Sequence, residues 1–308
     1  VAWDAFYVHD GYMAPGAMVE AGQADLLLIS WLGVDFHNRG ERVYRLLGCE
    51  LSFHGGLPRP GDTLAYEITV EGHALQGGVR LFFFRYDCLV NGERRMTMRH
   101  GQAGFFTDAE LAQSAGVLWD ARDATPCPNP RLAPPVVRCQ RTRFSEEQLT
   151  AFASGDAFAC LGPGFELART HVRTPRIADE QLRFWQQVTE LSVDGGPWGR
   201  GYLRAVQEVA PTDWYFAGHF KDDPCMPGTL MCEACLQAMG LFLAALGYTL
   251  TRDGWRFEPV SDEVFLLRCH GQVTPRSQQV VYEVFVEEIV DGPQPTLYAD
   301  VLCTVDGL

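Results

Sequence analysis

Residues 229–247 predict a helix with almost no polar face. Leu230, Met231, Ala234, Leu236, Met239, Leu241, Phe242, Leu243 and Leu246 surround its axis, and a helix that is apolar all round has to be buried. Two polar side chains inside it, Glu233 and Gln237, are four residues apart and share one face. A carboxylate in an apolar core is costly without a partner or a task. The stretch before the helix, Gly218 to Gly228, carries His219, Asp222 and Asp223 and ends in a Pro227-Gly228 turn. The chain thus has to wrap this helix in other structure while keeping a loop of titratable residues at its start, and that combination marks a candidate site.

The chain holds a second, altered copy of the same element. Met13-Ala14-Pro15-Gly16 leads into an apolar run with Glu20, Gln23 and Asp25, closed by Gly33 as the expected C-cap. The order Pro-Gly, acidic residue, glutamine recurs, but Glu20 follows Pro15 by five residues where Glu233 follows Pro227 by six, so either Glu20 or Asp25 fills the acidic position. Further matches follow: Leu46-Leu47-Gly48-Cys49 with Leu266-Leu267-Arg268-Cys269, Tyr66 to Val70 with Tyr282 to Val286, and Cys88 to Gly92 with Cys303 to Gly307. Each falls in a β-branched and aromatic run bounded by turn residues, which predicts strands. Two expected strands, Gln181 to Glu190 and Gly201 to Val209, precede the second helix, whereas eight residues precede His9. Together with the absent initiator methionine, this reads as a segment cut from a longer polypeptide.

Between the copies the composition shifts. Pro126, Pro128, Pro130, Pro134 and Pro135 predict an extended linker, Phe144 to Phe152 a short helix capped by Ser145, and Cys160 to Phe165 a tight loop able to cover a tunnel or serve as a strap. The expected division is a first domain at 1–107, N-terminally incomplete, a linker with a short helix at 108–178, and a second domain at 179–308.

Composition excludes several classes. A net charge of −14 argues against a nucleic-acid partner. Neither a signal peptide nor an apolar run of about 20 residues free of polar side chains is present, so the reading is cytoplasmic with no membrane partner. The ten cysteines are scattered in apolar surroundings, and the Cys232-x-x-Cys235 pair lies within the apolar helix without a second pair at zinc spacing, so buried free thiols are expected and no metal. The densest basic region is Arg138, Arg141 and Arg143 with Arg169, Arg173 and Arg176.

His219-Phe220, Asp223-Pro224, Met226-Pro227-Gly228, and Glu233 fourteen positions after the histidine, with Gln237, resemble the 3-hydroxydecanoyl-ACP dehydratase/isomerase family, with glutamate where the family's bacterial prototype carries aspartate. The tandem copies, with Gly22 to Gly33, Gly40 to Cys49 and Gly218 to Leu230, are similar to the dehydratase didomain of polyunsaturated fatty acid synthases. The resemblance implies an α+β tandem (double) hot-dog, each long helix wrapped by an antiparallel sheet. It also implies an intramolecular pseudodimer that dehydrates 3-hydroxyacyl chains on acyl carrier protein, with or without double-bond isomerisation, beside other synthase domains and without a cofactor. A hot-dog thioesterase, or a first copy serving only as an acyl-binding scaffold, is the alternative.

Dehydration needs a base at C2, an acid at the C3 hydroxyl and donors for the thioester oxygen. Histidine suits the first task, a carboxyl raised by burial the second, and amides at a helix start the third. On the family pattern these fall to His219, Glu233 and Gly228, with His9, Glu20 and Asp25 as first-copy counterparts. Thr229, Gln237, Gln23, Gly16, Phe220 and Pro227 are the candidate substrate-binding residues. In the family's dimers the loop histidine of one hot-dog faces the helix acid of the other, so His219 is expected opposite Glu20 or Asp25, and His9, if active, opposite Glu233. Asp222 and Asp223 are expected to shape the loop through local backbone bonds.

Overall fold

A computed structural model describes the chain except residues 32–38, 115, 117–118, 221 and 308, and gives the backbone alone over 24–31. Gly33 and the side chain of Asp25 therefore lie outside the described residues. After a small hairpin of β1 (Val8–His9) and β2 (Tyr12–Met13) comes helix α1 (Pro15–Trp31). Four strands follow: β3 (Val43–Phe53), β4 (Leu64–Gln76), β5 (Val79–Val90) and β6 (Glu93–Phe106). Short helices α2 (Asp108–Ala112), α3 (Glu146–Ala153) and α4 (Ala157–Leu161) fill the middle of the chain. The second half runs β7 (Gln187–Ser192), β8 (Tyr202–Glu208), α5 (Gly228–Ala245), β9 (Phe265–Arg268), β10 (Gln279–Val290) and β11 (Thr296–Val305).

The strands form two antiparallel sheets in the orders β4-β5-β6-β3-β9 and β11-β10-β8-β7. With α1 against the first and α5 against the second, the chain is a double hot-dog. In chain order the matched segments fall on β3, β4 and β5 after α1 and on β9, β10 and β11 after α5. The matched segments around Cys49 and Cys269 do more than resemble each other, because β3 and β9 pair across the module boundary with Cys49 opposite Leu267. The boundary at 179 is accordingly porous, since β9 completes the first sheet.

Helix α5 is the hub of the second core. Ala234, Ala238, Leu241, Phe242 and Leu246 are fully buried, and each large apolar side chain so buried contributes about 1.5–3 kcal/mol. By length and composition α5 could cross a membrane, yet 67% of it is buried inside the protein. Gly247 ends it in the left-handed region at φ +81, where a Cβ would also sit 2.6 Å from Val137 N.

Segment 108–178 departs from the expected linker. Ser145 caps α3 with a capping box, while Phe144, Leu149, Phe152, Cys160, Leu161 and Phe165 are buried in the same core as α5. The proline-rich run is tied to β10 by Ala133 N–H donating to Ile289 O and Ile289 N–H to Arg131 O. Prolines signal an extended backbone, but the apolar residues around them decide that it packs as a strap of the second module.

Candidate functional site

The loop before α5 doubles back on itself. Phe220 N–H donates to Asp223 O at 3.0 Å, Asp223 N–H to Phe220 O at 3.3 Å and Cys225 N–H to His219 O at 2.7 Å. This fixes the His219 ring, whose Nδ1 lies 2.8 Å from Cys225 O. A carbonyl can only accept, so Nδ1 carries the hydrogen and Nε2 keeps its lone pair. Nε2 lies 3.7 Å from Oε1 of Glu20, on α1 of the other module, and Oε2 of Glu20 accepts from Thr229 Oγ1 at 2.5 Å. Phe220 packs against the first module's core and so anchors the loop across the boundary.

Burial sets both protonation states. It holds the His219 imidazole below its usual 6.5 and pushes the Glu20 carboxyl up to about 7, against the Thr229 hydrogen bond that lowers it. At neutral pH the pair therefore offers an unprotonated imidazole beside a partly protonated carboxyl. The side chains keep 23% and 26% of their exposure. No described side chain caps α5, whose first residue follows Pro227, and the amides of a first helical turn lack intrahelical acceptors and carry the positive end of the dipole. A Cβ on Gly228 would meet only Cys269 Sγ at 3.4 Å, an ordinary contact, so the protein leaves room there.

At the start of α1 the arrangement is different. Gly16 N–H donates to Glu233 Oε2 at 2.9 Å, and Gln237 Nε2 donates to Glu233 Oε1 at 3.2 Å and to Leu182 O at 2.9 Å. Glu233 is buried, which raises its carboxyl pKa. Gly16 is obligatory here, since a Cβ would fall 2.7 Å from both Glu233 Cβ and Thr229 O where the helices cross. His9 has no hydrogen bond or ion pair to Glu233: its Nε2 lies 3.4 Å from Arg176 O and 3.5 Å from Asp10 Oδ2, while Arg176 also binds Asp10 at 2.7 Å. Between the two helix starts runs an apolar crevice bordered by Gly16 and Thr229 and lined by Val19, Leu51, Phe53, Leu236, Phe265 and Leu267, closed here to about 10 Å³.

Other candidates fall elsewhere. Gln23 is held in the first core, its amide against Met98 Sδ at 3.3 Å. Asp223, expected to bond its own backbone, instead meets the guanidinium of Arg45 on β3 at 2.6 and 2.7 Å. The sequence reading missed Arg45, and its only cue was a cation inside an apolar strand motif. The basic cluster in 138–176 is largely committed within the chain: Arg138 to Asp194, Arg141 to the carbonyls of Ala159 and Cys160, and Arg176 to Asp10.

Two helices wrapped by antiparallel sheets and crossing at their N-termini, with a histidine and a carboxyl meeting across the boundary, define a double hot-dog. Residues 177–308 match the model of the FabA-like domain, so this part of the chain is similar to that family. The chain is 34% identical over 281 residues to a polyunsaturated fatty acid synthase polypeptide of a Thraustochytrium species, a match taking in 88% of this chain and 18% of that protein. It therefore spans under a fifth of that relative's length. Similar solved structures include a trans-AT PKS dehydratase domain from Brevibacillus brevis (12% identity, TM-score 0.44, 100% of this chain and 86% of that one). Another is a double hot-dog protein from Mycobacterium tuberculosis (15% identity, TM-score 0.44, 96% and 76%).

Proposed function

We propose that this chain removes water from 3-hydroxyacyl thioesters carried on acyl carrier protein, yielding 2-enoyl thioesters within a polyunsaturated fatty acid synthase. The observation that carries the reading is the meeting of His219 Nε2 and Glu20 at the uncapped start of α5. In this reading His219 Nε2 takes the C2 proton and protonated Glu20 gives its proton to the C3 hydroxyl, which leaves as water. The amides of Gly228 and Thr229 hold the charge that grows on the thioester oxygen, a role for which an uncapped helix start is suited. The proton left on His219 returns to Glu20 through solvent, so the cycle closes without a net change in the protein. Glu20, rather than Glu233, is the acid in this assignment, because Glu233 already accepts from Gly16 and Gln237.

The test is to incubate the chain with a 3-hydroxyacyl carrier thioester and follow the acyl group by mass spectrometry. Loss of one water from the carrier-bound chain supports dehydration. Release of a free hydroxy acid would instead make the chain a thioesterase, and an unchanged substrate bound to the protein would make it a scaffold.

A further inference from the structure

The geometry points to Arg45 as a positioning residue that the first module contributes to His219 of the second. Every N–H of its guanidinium is used. Nη1 donates to Asp223 Oδ2 at 2.6 Å and to Tyr44 O at 2.7 Å, Nη2 to Asp223 Oδ1 at 2.7 Å and Gln272 Oε1 at 2.7 Å, and Nε to Gln272 Oε1 at 3.0 Å. The side chain retains 12% of its exposure. A planar fork filled in this way cannot be reproduced by an ammonium group. Asp223 and Gln272 both belong to the second module, so a single side chain on β3 clamps two of its segments.

The clamp reaches His219 through few bonds. Asp223 closes the loop by exchanging backbone hydrogen bonds with Phe220, and Cys225, two residues on, binds the His219 carbonyl and accepts from its ring. Releasing Asp223 would free the segment that fixes both the position and the tautomer of the imidazole. Arg45 also acts through its charge. The groups facing His219 are Glu20 from α1, Arg45 from β3, and Asp223 and Cys225 from its own loop; Arg45 lowers the imidazole pKa and Asp223 raises it. Removing either member of the ion pair therefore moves His219 in opposite directions, which a purely structural tie would not do.

This inference rests on the dehydratase reading for its kinetic arm alone. The experiment compares wild type with Arg45→Gln, Arg45→Lys and Asp223→Asn. The His219 titration is followed by NMR of ¹⁵N-histidine-labelled protein, and kcat and KM for dehydration are measured across pH. Arg45→Gln, which leaves Asp223 unopposed, should raise the His219 pKa, and Asp223→Asn, which leaves the cation, should lower it. Misplacing a reacting group by about 1 Å costs up to about 100-fold, so kcat should fall about 10–100-fold in Arg45→Gln with KM nearly unchanged, and Arg45→Lys should restore little of it. Should Arg45→Gln fail to fold, the opposite sign expected of Asp223→Asn and the poor rescue by lysine still decide the matter. A His219 titration that stays put in the folded variants overturns the inference. If the wild type dehydrates nothing, the functional reading fails while the titration still judges Arg45.

Discussion

Replacing Glu20 by glutamine tests the electrostatics of the site apart from its chemistry. Burial raises the folded pKa from 4.5 to about 7, and ionisation is then disfavoured in the folded state. The wild type keeps its full stability below pH 4.5, loses it as pH rises through the interval up to about 7, and carries the whole penalty above. That displacement corresponds to about 3 kcal/mol for a fully desolvated group. The 26% of the side chain that stays exposed screens the charge and brings the expected penalty down to about 2 kcal/mol. Glutamine does not titrate, so the melting temperature of Glu20→Gln relative to wild type should climb between pH 4.5 and 7 and level off about 3 °C higher above pH 7.5 than below pH 4.5. Thermal unfolding of both proteins in matched buffers measures this. Turnover should fall about 10²–10⁴-fold, the usual worth of a positioned acid. A difference in melting temperature that does not vary between pH 4 and 8 would refute the reasoning, because Glu20 would then titrate as an ordinary exposed carboxylate.

The same geometry gives other expectations. Thr229→Val removes the hydroxyl that donates to Glu20, a bond that lowers the acid's pKa; the alkaline limb of kcat/KM should therefore shift upward, seen in a pH–rate profile. Glu233→Gln keeps an oxygen able to accept from Gly16 N–H and should leave turnover within about threefold, whereas a catalytic acid would lose about 100-fold or more. Gly16→Ala drives a methyl to 2.7 Å from Thr229 O and Glu233 Cβ and should cost about 1–3 kcal/mol of stability, measured by denaturant unfolding.

The helix at the centre of the second module was legible because, past Thr229 in its first turn, no strongly polar side chain interrupts its surface except Glu233 and Gln237, and burial is the only outcome for such a helix. The repeat was legible as well, since like strands have like composition. Two features were hidden. Similarity between the segments around Cys49 and Cys269 marks them as a repeat, but only the pairing of β3 with β9 says that they touch. The carboxyl opposite His219 was hidden for a related reason: a one-residue change in spacing turns a helical side chain through about 100°, so matching the two copies in sequence could not tell which carboxyl comes to face His219. The strap at 108–178 was masked by its prolines, which report backbone shape, whereas its burial comes from Phe144, Phe152 and Phe165 finding room beside α5.

That change of spacing also bears on why two related helix starts have different chemistry. Glu233 follows Gly228 by five residues and Glu20 follows Gly16 by four. At α1 the result is a buried carboxyl accepting directly from the Gly16 amide, so the donor that could serve a developing oxyanion is already matched. Glutamine at 237 holds the far oxygen, and the local histidine is turned toward Asp10 and the Arg176 carbonyl. At α5 the incoming carboxyl is caught by the Thr229 hydroxyl instead of a backbone amide. A hydroxyl can rotate away from its partner without disturbing a helix, whereas an amide cannot. The α5 end can therefore release its acid toward a substrate and still offer backbone donors, while the α1 end is stable because it is occupied. On the proposed reading, the α5 start carries the chemistry and the α1 start locks the helices together. Glu233→Ala, which removes the lock, should then destabilise the pair by about 2–4 kcal/mol through an orphaned amide and a cavity, yet leave His219 and Glu20 competent in whatever fraction stays folded.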